Sequence, residues 1–210
     1  MSWRRAALLP LIFVLAACAE GGTRGSGIET EVLGNVVSVD TTAPAATAQA
    51  TTGLGDIQVS IVGTTIKGST NDTGDFTVSG NFEGMIELVF TVFDGGTAHI
   101  ELDVPAAGTL TMNNVSLDTQ AGTVTAETMA VEFEGVVTSV DCAKLTLWFV
   151  SSQAQHDMDQ YVVELATSTV VDSSGQPVPC SDIQTGEKAS VQGFVNPDGS
   201  YGEATIDLQK

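Results

Sequence analysis

The chain has 210 residues and a formal net charge of −19, with 26 acidic side chains against 7 basic ones. Binding to phosphate needs clustered Lys and Arg, so this balance argues against nucleic acid and anionic headgroups as partners. The acidity reads first as a solubility device, ahead of a dedicated cation-binding role.

Arg4 and Arg5 form a positive opening, and Ala6 to Leu15 form an apolar run broken only by Pro10. A bilayer span needs about 20 apolar residues, so this run is too short to cross and reads as a signal h-region. It ends in Leu15-Ala16-Ala17-Cys18, which resembles the lipobox of bacterial lipoproteins. The resemblance implies removal of residues 1–17, a diacylglyceryl thioether on Cys18 and acylation of the new amino terminus. The flanks Ser2-Trp3 and Ala6-Ala7 fit a twin-arginine signal poorly. Two or more acyl chains anchor a protein stably where one is marginal, so the mature chain is expected to sit on a membrane without spanning it. Ala19 after the cysteine resembles the Gram-negative sorting pattern for the outer membrane. Loss of the signal leaves Arg24, Lys67, Lys144, Lys188 and Lys210 as the only cations.

Residues 18–27 are Gly-rich and form a tether. Beyond them the chain reads as β: Val, Thr and Gly abound, and no stretch repeats apolar residues at helical spacing over three turns. Ile57, Val59 and Ile61 share one strand face, as do Phe76 with Val78, and Ile100 with Leu102 and Val104. Met85 to Phe93 is apolar at both parities and is expected to be a central strand covered on both sides. Asp40 to Gly55 is an Ala/Thr-rich loop. A second change in composition, at 119–129, marks a linker between two small β domains at 28–118 and 130–210. The segment Gly34 to Asp40 is echoed by Gly135 to Asp141, which two strands of similar composition explain as well as a duplication does.

With Cys18 lipidated, Cys142 and Cys180 remain in an oxidising compartment, and an even remainder there suggests one structural disulfide. A bridge closing so long a loop contributes about 4 kcal/mol in the chain-entropy model. The alternative, a pair of metal ligands, finds no second Cys or His at short spacing.

The first domain resembles the carboxypeptidase regulatory-like family, a prealbumin-like β-sandwich. The matching residues are Gly34-Asn35-Val36, Ile57 to Gly63, the strand from Met85 to Phe93, and Ser69 to Phe76 in place of the family's T-D-x-x-G-x-F hairpin. The resemblance implies a non-enzymatic spacer or binding module; the long Asp40–Gly55 loop departs from it. The second domain resembles a small bacterial extracytoplasmic domain of unknown function with an OB-like barrel. Phe133 to Asp141, Thr167 to Val171, Cys180 to Gly186, Val191 to Gly193, Asp198-Gly199 and Ala204 to Ile206 carry that match, and the polar stretch Ser151 to Gln160 departs from it. Nucleic-acid binding by such a barrel needs a basic groove with aromatics, and this half holds only Lys144, Lys188 and Lys210. Asn196-Pro-Asp-Gly199 reads as a hairpin turn.

Ser69 to Phe76 (STNDTGDF) looks at first like a calcium loop. An EF-hand has acids at positions one, three and five, Gly at six and Glu at twelve. With Gly74 at six, Ser69 falls at one, Thr73 at five and Gly80 at twelve, and only Asn71 fits, so the segment is expected to be a turn. His99 shares a strand face with Glu101 and Asp103, but strand geometry spreads alternate residues about 7 Å apart, which favours a solvated face over a metal site. His156, with Asp157 and Asp159, reads as a polar loop rather than a metal or proton-transfer site. No Gly-x-Ser-x-Gly elbow or phosphate-cradling loop occurs. In Leu145 to Val150, Leu145, Leu147 and Phe149 share one face, which puts Trp148 on the other. It is covered by the Ser151–Gln160 loop or, as a ligand-binding residue, stacks on a sugar or a partner's apolar group. The expectation is an all-β, membrane-anchored envelope lipoprotein acting as a non-enzymatic structural or protein-interaction module, without cofactor or metal. The alternative is a carbohydrate- or cation-binding receptor subunit.

Overall fold

The computed structural model describes residues 29–40, 54–93, 95–152 and 160–209. The signal, Cys18, the tether and His156 lie outside these residues. Among the described residues there are fourteen strands, one 3-10 turn and no α-helix, so the chain is all-β as expected, and no helix is long and apolar enough to cross a membrane.

The first eight strands are β1 (Thr30–Asp40), β2 (Gln58–Ile61), β3 (Lys67–Ser69), β4 (Asp75–Gly80), β5 (Gly84–Thr91), β6 (Thr97–Val104), β7 (Thr109–Asp118) and β8 (Thr123–Thr125). One layer pairs β4 with β1 antiparallel and β1 with β7 parallel; the other runs β3–β2–β5–β6, and β8 ties β7 to β6. Alternation puts Val32, Val36, Phe76, Val78, Leu110 and Met112 of one layer against Val59, Leu88, Phe90, Ala98 and Leu102 of the other, all buried. Phe76 meets Phe90 edge-on across the layers, with ring centroids 5.3 Å apart. Gly34 makes room for that ring: a Cβ there would lie 2.5 Å from two Phe76 ring carbons. The hydroxyl of buried Thr30 donates to the Phe82 carbonyl (2.6 Å) and accepts from the Ala107 amide (3.0 Å), which pins β1 to two loops.

One expectation for this half is corrected. Strand β5 is central in its sheet, between β2 and β6, but only Ile86, Leu88 and Phe90 point into the core. Met85 is 68% exposed on the other face, beside Glu87, and Phe93 is wholly exposed beyond the strand end. A two-layer sandwich covers each sheet once, so the outer face of β5 meets water.

The remaining strands are β9 (Thr128–Asp141), β10 (Thr146–Ser151), β11 (Tyr161–Glu164), β12 (Thr169–Asp172), β13 (Lys188–Val195) and β14 (Tyr201–Gln209). They close a five-stranded barrel in the order β9–β10–β11–β14–β13–β9, with β11 and β12 both parallel to β14. Phe133 packs at its centre against Phe149, Tyr161 and Tyr201, at centroid distances of 6.2, 5.4 and 5.9 Å. Leu145 differs from the expected face: it lies in the β9–β10 turn in the left-handed region (φ 55°) and is exposed, while Leu147 and Phe149 fill the core. The Asp141 carboxylate sets that turn by accepting the Ala143 and Lys144 amides. The predicted hairpin at Asn196 to Gly199 is present, with Gly199 at φ 84° and the Asn196 amide donating to the Ser200 carbonyl.

Among the described residues, strand pairing and a buried side-chain hydrogen bond join the halves. Strand β7 pairs with β9 antiparallel from Thr109↔Glu132 to Asn113↔Thr128, so sheet hydrogen bonding is continuous through β7, β9 and β13. The β6–β7 turn also buries Ala106, whose carbonyl accepts from the hydroxyl of buried Ser151 at the end of β10 (2.7 Å).

Candidate functional site

Ser69 to Phe76 forms a closed turn. The Asn71 side-chain oxygen accepts the amides of Thr73 and Asp75, and the Asp75 carboxylate accepts from the Thr73 hydroxyl (2.6 Å), Asn71 (3.3 Å) and Asn35 (3.0 Å). These bonds hold the Asp75 carboxyl below its ordinary pKa, the Thr73 hydroxyl contributing most. They tie the turn to β1, where the Asn35 amide group also reaches the Thr73 carbonyl. The carboxylates of Asp118, Asp172 and Asp198 likewise accept backbone amides of their own turns.

His99, Glu101 and Asp103 occupy the exposed face of β6, with His99 Nδ1 3.6 Å from Glu87 Oε1 on β5. Among the described residues no group of three His, Cys, Asp or Glu side chains is placed to hold a metal ion. Cys142 and Cys180 form the expected disulfide, which ties the β9–β10 turn to the 3-10 turn Cys180–Asp182. Trp148 is half-buried on β10, in register with Ser139 of β9 and Val162 of β11. Residues 153–159 of the loop expected to cover it lie outside the described residues. The Tyr201 hydroxyl is pushed well above its ordinary pKa, mainly by burial, as befits a core residue.

Sequence reasoning missed a surface at the junction. On the outer face of the continuous sheet, register aligns Thr109 with Glu132 and Gln192, and Thr111 with Ala130 and Phe194. Ala130 is small between larger neighbours, so the face dips there into a depression of about 280 Å³. A second depression, of about 250 Å³, is lined by Glu127, Met129, Val195 and Glu203. Phe194 stands between the two, lines both and is 41% exposed. Opposite it, a register shift between β13 and β14 accompanies Glu203 in the left-handed region (φ 49°), a bulge that turns Glu203 outward. The signal was available: with Ala189 and Val191 pointing inward, strand parity places Phe194 outside.

No family model matches this sequence, and no curated protein matches it.

Proposed function

We propose that the protein is a membrane-anchored lipoprotein of the bacterial cell envelope, at the outer membrane, serving as a non-enzymatic structural or protein-interaction module. In this reading the first half is a prealbumin-like domain of the carboxypeptidase regulatory-like kind and the second an OB-like barrel. The observation that carries it is Leu15-Ala16-Ala17-Cys18 directly after a charged opening and a short apolar run. The built parts support an interaction role over chemistry: the best-bonded carboxylates, Asp75 and Asp172, are engaged in holding turns. Gly34 beneath the Phe76 ring, and the five-strand closure of the barrel, support the two domain resemblances.

Metabolic labelling with palmitate tests the anchor: label is expected on the wild type and absent from Cys18→Ser, and retained label in the variant would overturn it. Crosslinking in intact envelopes followed by pull-down is expected to recover one stoichiometric protein partner. Recovery of none, with binding to a glycan array instead, would favour a carbohydrate receptor, the reading to which half-buried Trp148 would contribute.

A further inference from the structure

From the junction groove we infer a docking site for an extended, Lys- or Arg-bearing segment of a partner protein, an assignment that rests on the interaction-module reading and names its surface. The shape comes from three aligned strands. Thr111, Ala130 and Phe194 form one row across β7, β9 and β13, and the small Ala130 leaves a trough between the other two. Neighbouring strands lie about 4.8 Å apart, so Thr111 and Phe194 are separated by about 10 Å, room for one extended chain over Ala130. Phe194 lines both depressions, so a chain lying over Ala130 has the ring along one flank and the second depression beyond it.

Charge selects the occupant. The charged side chains lining the two depressions are Glu127, Glu132 and Glu203, all exposed and all negative. The described cations Lys67, Lys144 and Lys188 line neither, and the chain as a whole carries −19. An exposed Phe ring edged by carboxylates suits a guanidinium or ammonium: the ring face attracts the cation, the alkyl stem packs on the ring, and the carboxylates accept its protons. A second copy of this acidic chain, an acidic peptide and an anionic lipid surface are all repelled.

The test uses the full chain in detergent and fluorescein-labelled (Arg-Val)4, read by anisotropy, with (Glu-Val)4 and chitohexaose run in parallel. The arginine peptide is expected to bind and the other two not to. Phe194→Ser and the groove-filling Ala130→Trp should each weaken binding about tenfold, the scale of a well-placed aromatic anchor. Glu132→Gln with Glu203→Gln should weaken it about fivefold, whereas Glu87→Gln with Glu101→Gln, the same charge change on the outer face of β5 and β6, should cost less than about twofold. Circular dichroism and a thermal melt establish that each variant is folded; Phe194→Ser is the safest, because the ring is already partly in water. Equal losses from the two Glu pairs would reduce the effect to bulk charge and overturn the site, as would full affinity in Phe194→Ser. Chitohexaose binding that Phe194→Ser abolishes would reassign the groove to sugar. Each of these failures leaves recovery of a partner from crosslinked envelopes as a separate result, so groove and interaction module fall independently.

Discussion

The sandwich and the barrel fill their cores differently. The sandwich spreads its burial over aliphatic side chains, with one aromatic pair, Phe76 and Phe90, and pins one end through the Thr30 hydroxyl. The barrel concentrates its packing on Phe133, which touches Phe149, Tyr161 and Tyr201, and adds a disulfide outside the core. A distributed core loses a little at each substitution, whereas a core centred on one ring loses much at one position.

The largest expected effect is at that centre. Phe133→Ala should cost about 3–5 kcal/mol in denaturant unfolding, because three aromatic neighbours cannot close over the void. A cost below about 1 kcal/mol would show that the barrel is distributed too. Next, replacing Cys142 and Cys180 by Ser should cost about 3–4 kcal/mol, since the bridge closes a loop with a sequence separation of 38. In the sandwich, Gly34→Ala should cost about 2 kcal/mol, because a methyl group there must displace the Phe76 ring. If Phe76→Leu in the same chain restored the loss, the clash would be established as its cause. The smallest effect is electrostatic. The folded state holds the Asp75 carboxyl below its ordinary 3.8, so its contribution is present above that value and is lost as pH falls through the lower folded one. Thermal melts should therefore separate wild type from Asp75→Asn at neutral pH and bring them together well below pH 3.8. A gap that stayed constant with pH would assign the difference to geometry rather than charge.

Much of this was legible in the chain because strand parity is a local property. Ile57, Val59 and Ile61 announced a buried face, and Asn196 to Gly199 announced its turn. Met85 to Phe93 misled because exposed apolar residues carry the same letters as buried ones, and which face is covered depends on the number of layers. Leu145 misled because the turn before β10 runs one residue further than parity assumed. The groove escaped because Thr111, Ala130 and Phe194 come from three separate strands whose register is set only by folding. Its one local trace, Phe194 at an outward parity, had no partner in the sequence to give it meaning.

Strand β9 serves two neighbours along one edge, β7 through residues 128–132 and β10 through residues 135–141. Cutting the chain at the boundary its composition suggests would strip β7 of an antiparallel neighbour and leave a row of open amides and carbonyls, the kind of edge that recruits foreign strands. The two halves are therefore not interchangeable beads: a graft that keeps the barrel but replaces the sandwich must also supply a replacement for β7.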